Sequence, residues 1–232
     1  PLLGALVNRW LAPLPFFRIF CMVNIVVARP LLETAGQPSV SVVVPARNEA
    51  GNIENIVDRI PKMGPDDEII FVEGNSTDDT WEVIRRVQRE RGAERNIVIC
   101  QQEGKGKGDA VRKGFSLAGK EILMILDADM TVPPEDLPKF YRALVTGKGE
   151  FINGSRLVYP MEKKAMRFFN ILGNKFFAGA FSFVLGQRFK DTLCGTKVLT
   201  RGNYAKLAAS RSYFGEFDPF GDFDLIFGAS RM

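Results

Sequence analysis

Short apolar runs alternating with amphipathic stretches from Ser39 onward predict an α/β fold, a mostly parallel sheet flanked by helices. Two further observations agree. Runs such as Ile122 to Leu126 are apolar without alternation, as expected for strands covered by helices on both faces. Polar residues also gather directly after each run, at the carboxyl ends of the strands, where open parallel sheets bind ligands.

Taken in order, the first strand reads as SVSVVVPA (39 to 46), followed by a helix from about Asn52 to Ile60. The second is EIIFVEG (68 to 74), with a helix from about Asp79 to Glu90. In that connection Ser76 or Thr77 is placed to cap the helix, and Asp79 falls three residues after Ser76, as in a capping box. The third strand is NIVICQ (96 to 101), then a glycine-rich loop and a helix from about Asp109 to Leu117. The fourth is EILMILDA (121 to 128), then a loop and a helix near Glu135 to Val145. FINGS (151 to 155) fits a fifth strand, and an apolar helical segment rich in phenylalanine, Phe168 to Phe189, follows it. A helix apolar round most of its circumference is either buried or faces a membrane.

The length suits one large domain with an appendage. Residues 36–232 are expected to form that domain, truncated at its C-terminus. Residues 1–35 read as an N-terminal apolar extension, a buried strand or the tail of a preceding domain. Its run from Ile19 to Ala28 is about half of the roughly 20 residues that a membrane-spanning helix needs. Apolar residues at 46% and charged residues at 25% are the proportions of a folded globular protein, not of a disordered or polytopic one. The net charge of +4 suits anionic ligands or an anionic membrane surface, and no nucleic acid is expected.

The absence of histidine is the most restrictive count. It removes Ser-His-Asp and Cys-His nucleophile systems, imidazole bases and His-liganded zinc, so any metal must sit on carboxylates. Cys21, Cys100 and Cys194 are widely spaced and odd in number, which argues for reduced thiols in a cytosolic setting.

Asp127 and Asp129 follow the fourth strand directly, and residues i and i+2 on extended backbone point to one side. They outline a hard-metal site for Mg²⁺ or Mn²⁺, whose shell substrate phosphates would complete. The alternative is two solvated acids ending a strand. Glu73 ends the second apolar strand, placed to accept hydrogen bonds from a nucleobase or ribose, with Asn75 beside it. Gly104-Lys-Gly-Lys-Gly108 brings backbone N–H groups and two lysines, Lys105 and Lys107, towards the same rim, either to contact phosphate or as a flexible basic loop. Its spacing is neither the dinucleotide fingerprint nor a P-loop. Arg156, after FINGS, is a further phosphate candidate.

Together VVVPARNEAGNI, VEGNSTDDT, GKGKGDAVRKGF, MILDADM, NGSR and DTLCGTK resemble a family 2 glycosyltransferase of the GT-A (Rossmann-like) fold, over about Ser39 to Phe227. The polyprenyl-phosphate (dolichyl-phosphate) glycosyltransferases are the nearest subgroup, and DTLCGTKVLTR is similar to their glucosyltransferase branch. The resemblance implies a nucleoside diphosphate sugar donor, UDP-linked in preference to GDP-linked, held by Pro45, Arg47, Glu49 and Glu73. It implies a metal on Asp127 and Asp129 around Ala128, with Arg156 and Lys197 near phosphate groups. Glu73 stands where Asp is usual, and Asp224 where the family has Glu.

The implied reaction is metal-dependent inverting transfer to a polyprenyl phosphate, at the cytoplasmic face of a membrane or anchored by segments outside this chain. A hydroxyl acceptor would instead need a base, and Asp191 or Asp222 are the candidates. Two readings compete: the same fold with a saccharide acceptor, and a non-catalytic sugar-nucleotide-binding module. A nicotinamide-binding oxidoreductase is disfavoured, because the first strand-to-helix turn reads PARNEAGN and not a glycine fingerprint.

Overall fold

The computed structural model describes residues 7–11, 36–155, 168–187, 189–192, 194–209 and 223–230. Arg156, Arg188, Asp222 and most of the N-terminal extension, residues 1–6 and 12–35, lie outside them. The chain divides into two compact units, 1–31 and 32–232. In the first, the described residues form one turn of π-helix, Val7–Leu11.

The second unit holds a six-stranded sheet in the order β3-β2-β1-β4-β6-β5. Strands β1 (Val40–Ala46), β2 (Glu68–Glu73), β3 (Ile97–Gln101) and β4 (Ile122–Ile125) are mutually parallel. Strand β5 (Phe151–Asn153) forms the edge, and β6 (Lys197–Thr200) runs antiparallel between β4 and β5. The expected four parallel strands and the fifth are present. The sequence reading contained no β6, whose four residues enter the sheet between β4 and the edge strand from far along the chain.

Helices cover both faces, which is why the strands are apolar without alternation. Val42 and Val44 of β1 meet the apolar sides of α1 (Ile53–Arg59), α2 (Thr80–Arg95) and α4 (Leu137–Val145), through Ile53, Ile56, Ile84 and Leu137. Val43, pointing the other way, packs with Ala110, Val111 and Phe115 of α3 (Lys107–Leu117). The spacing Ala110, Val111, Gly114, Phe115 is one face of a helix. Gly114 makes this contact close: a Cβ there would lie 2.3 Å from Val43 Cγ1. Helix α6 (Arg201–Ala209) and α7 (Phe223–Ala229) complete this face through Leu207 and Leu225.

Two local expectations are corrected. Helix α3 starts at Lys107, two residues before the expected Asp109, so the lysine belongs to its first turn. Helix α2 has no capping box: Asp79 precedes it with no side-chain cap bond, and Ser76 Oγ accepts from Asn48 N at 3.0 Å instead. The Thr80 N–H is taken by Asp78 Oδ1 at 3.1 Å. The apolar segment after β5 is α5 (Phe168–Leu185).

Candidate active site

An open cleft of about 320 Å³ lies at the carboxyl ends of the parallel strands. Pro45, Arg47 and Glu49 after β1, Gly74 after β2, Gln102 and Gly106 after β3, Lys107 and Ala110 of α3, and Asp127, Ala128 and Asp129 after β4 line it. The rim anticipated from the strand ends is therefore one wall of one cleft.

Asp127 and Asp129 both face this space, but not from extended backbone. The strand ends at Ile125, and Met130 N bonds to Asp127 O at 3.0 Å, closing a turn that leaves Met130 at φ 50°. Asp129 Oδ1 accepts the Thr131 N–H at 2.9 Å. Lys107 Nζ lies 2.5 Å from Asp127 Oδ1, both side chains partly exposed to the cleft. Gly195 abuts this pair from the far side: a Cβ there would lie 2.1 Å from Asp127 Oδ2 and 2.2 Å from Lys107 Nζ. The site thus includes a cradle that any side chain at 195 would fill. Nothing in the composition flags Gly195, although it lies inside the DTLCGTK segment.

These residues fit a divalent cation. The donors are hard carboxylate oxygens, a cationic ammonium already sits on one of them, and only a residue without a side chain fits at Gly195 against them. Among the described residues, no three of Asp, Glu or Cys converge into a complete cage. Asp127 and Asp129 alone would supply a partial shell, the arrangement Mg²⁺ and Mn²⁺ adopt when phosphate oxygens complete it.

Glu73, expected to meet the nucleobase, is buried. Its Oε1 accepts the Ser76 N–H at 2.5 Å and its Oε2 accepts Gln101 Nε2 at 2.9 Å. Burial pushes the carboxyl pKa up, and the bonds from Gln101 and Ser76 together outweigh it, holding the group below the ordinary carboxylate range. Glu73 shapes the loop that carries Gly74, while Asn75, exposed at φ 55°, does not line the cleft. Asn48 also has positive φ, at 57°, and its Oδ1 takes the Thr77 N–H at 2.8 Å, tying the β1 and β2 ends together. Glu49 lines the cleft with Oε2 steadied by Asn52 Nδ2 at 2.6 Å.

Lys197 and Asp191 sit behind the cleft, both fully buried. Lys197 Nζ donates to Cys194 O at 2.7 Å, so it anchors the 194–196 turn from beneath and does not open on the cleft. Asn153 Nδ2 donates to the Asp191 carbonyl at 2.7 Å, binding this turn to β5. Burial pushes the Cys194 thiol up, against a backbone hydrogen bond from Thr196 that lowers it.

A mostly parallel sheet with an antiparallel strand between β4 and the edge, and an acidic turn facing a basic glycine loop across one cleft, defines the GT-A class of α/β domain. The chain belongs to glycosyl transferase family 2, whose profile matches residues 41–202. It is 36% identical to a dolichol-phosphate mannosyltransferase of Pyrococcus furiosus, over 51% of this chain and 33% of that one. To a dolichyl-phosphate beta-glucosyltransferase of Drosophila melanogaster it is 31% identical, over 78% of this chain and 60% of that one. The chain therefore spans less than two thirds of either relative.

Two solved structures share the fold. Glucosyl-3-phosphoglycerate synthase from Mycobacterium tuberculosis, in complex with Mn²⁺, UDP and glucosyl-3-phosphoglycerate, superposes with a TM-score of 0.56 at 20% identity, covering 81% of this chain and 63% of that one. A mannosyltransferase from Pyrobaculum calidifontis, in complex with GDP-Man and Mn²⁺, gives 0.53 at 20% identity, covering 84% and 53%.

Proposed function

We propose that this chain is the catalytic domain of a hexosyltransferase that moves a sugar from a nucleoside diphosphate to a polyprenyl phosphate, with inversion. The observation that carries the reading is the Lys107–Asp127–Gly195 cluster beside Asp129, a paired cationic and anionic site at the mouth of a nucleotide-sized cleft. The named activities of both curated relatives support the lipid phosphate acceptor.

In this reading Pro45, Arg47 and Glu49 receive the nucleoside, and the first turn of α3 presents Lys107 and backbone N–H groups to the diphosphate. Asp127 and Asp129 would hold a divalent cation, which when bound offsets charge on the departing nucleoside diphosphate. The anomeric carbon loses its bond to the diphosphate oxygen as an acceptor phosphate oxygen attacks from the opposite side. That oxygen needs no base, because a phosphate monoester has a second pKa of about 6. A hydroxyl acceptor would need a base: Asp191 is buried and does not line the cleft, and Asp222 lies outside the described residues. The UDP preference rests on the resemblance of DTLCGTKVLTR to the glucosyltransferase branch.

No helix among the described residues is long and apolar enough to cross a membrane. We place α5 at the membrane surface, because Phe176, Phe177, Phe183 and Val184 are exposed on it, and Lys175 and Lys190 are exposed nearby.

Transfer from UDP-glucose and from GDP-mannose to a polyprenyl phosphate tests the reading. Turnover should require Mg²⁺ or Mn²⁺, and Asp127→Asn or Asp129→Asn should each cut it by on the order of 10². Full activity of either variant in excess chelator would end the proposal.

A further inference from the structure

The bond between Lys107 and Asp127 sets two demands on one carboxylate. Lys107 Nζ stands 2.5 Å from Asp127 Oδ1, on the carboxylate that would hold a divalent cation. An ammonium cannot stay there when a doubly charged ion takes the same oxygen, because like charges a few ångströms apart in a partly screened cleft repel strongly. Gly195 closes the other flank, within van der Waals reach of Asp127 Oδ2, Oδ1 and Lys107 Nζ together. Lys107 therefore has to swing outward. Its side chain can do so by turning about its own bonds, since it is partly exposed to the cleft from the first turn of α3. The cleft in front of it is where a diphosphate would lie.

We propose that Lys107 guards Asp127. Its ammonium holds the carboxylate until a nucleoside diphosphate offers a stronger anionic partner; Lys107 then transfers to the phosphates and releases Asp127 to the cation. Cation and nucleotide consequently bind as a coupled pair, each favouring the other, and a bare cation binds poorly. The inference rests on the assignment of Asp127 and Asp129 as cation ligands and adds to it a positioning role and a binding order. By reciprocity, the factor by which nucleotide tightens cation binding equals the factor by which cation tightens nucleotide binding.

The test is titration with Mn²⁺, followed by the paramagnetic resonance of the free ion, with and without saturating UDP. Wild type, Lys107→Met, Lys107→Gln and Lys105→Met are compared, with folding checked by thermal melts. Lys105, expected at the same rim, is exposed and does not line the cleft, so its removal reports the loss of one local positive charge. Wild type should bind Mn²⁺ weakly alone and about tenfold or more tightly with UDP. Lys107→Met and Lys107→Gln should bind Mn²⁺ alone about tenfold more tightly than wild type and show a correspondingly smaller tightening by UDP, the remainder coming from the phosphate oxygens that complete the shell, while Lys105→Met stays within about threefold of wild type. Coupling of wild-type size in both Lys107 variants would overturn the guard role and leave the metal assignment standing. Absence of any effect of UDP on Mn²⁺ binding in wild type, with Asp127→Asn no weaker, would overturn both.

Discussion

Glu73 ends β2 beside the cleft, yet its carboxylate serves the fold. Read from the sequence, an acid at the end of β2 points to the nucleobase; in the fold, its carboxylate is turned inward onto Ser76 N and Gln101 Nε2. Glu73→Ala strands both donors, so it should destabilise the domain by about 1–3 kcal/mol, read as a shift of the urea midpoint. The sign of the pH dependence follows from the direction of its shift. The native pKa lies below the ordinary value, so the stabilisation is complete above about pH 4.3 and is lost as pH falls through the native value. Wild type should exceed Glu73→Gln in stability at pH 7, and the difference should shrink steadily as the buffer is taken below pH ~4. A gap that stays constant with pH would assign the effect to packing. That Asp127, Asp129, Arg47 and Glu49 line the cleft was legible because residues directly after a parallel strand face the ligand edge, and Lys107 because its glycine-rich loop leads from β3 into a helix at that edge. Lys197 was not: a lysine beside a phosphate-binding segment reads as a phosphate ligand, and only the tertiary fold shows its ammonium under the Cys194 carbonyl.

At the level of elements, what sequence reveals depends on how local the cause is. Strands β1 to β4 were legible because burial on both faces leaves continuous apolar runs, and α1 to α4 because their buried residues recur at helical spacing. Strand β6 was not, since KVLT is too short to declare itself and its place is fixed by pairing with Ile122, Leu123 and Met124 far back in the chain. Helix α5 reads from the sequence as apolar round most of its circumference, and in the fold its described side chains differ in exposure. Phe181 packs on Phe227 with ring centroids 5.1 Å apart, whereas Phe183 is 89% exposed and Val184 71%. Phe181→Ser would thus confuse lost packing with lost membrane contact. Phe183→Ser with Val184→Ser should leave stability within about 0.5 kcal/mol. The same pair should reduce flotation with anionic liposomes, and the wild-type flotation should weaken with salt, as for an interfacial helix with basic neighbours. Undiminished flotation of the double variant would remove α5 from the membrane surface.

Across the whole molecule, every catalytic feature proposed here hangs from one sheet: β1, β2 and β3 bring Arg47, Gly74 and Gln102 to the cleft, β4 brings Asp127, and the antiparallel β6 is preceded by the Gly195 turn that backs it. Helix α3 can press its first turn against Asp127 only because Gly114 lets it lie so close to Val43. A ligand spanning this cleft touches the ends of four strands at once, so it cannot bind a chain in which the sheet has come apart. Selective binding to the folded state raises stability by about 2.7 kcal/mol at a concentration of 100 Kd. In a domain of this size each kcal/mol moves the melting temperature by roughly 2–4 °C, so a shift of about 5–10 °C is expected. Nucleoside diphosphate with Mn²⁺ should produce it, either alone should produce much less, and chelator should abolish it. If the reading of DTLCGTKVLTR is right, UDP should exceed GDP at equal concentration. Asp127→Asn should melt near the wild-type temperature without ligand and gain little from UDP and Mn²⁺ together; a full shift in that variant would mean that the nucleotide is held elsewhere on the domain.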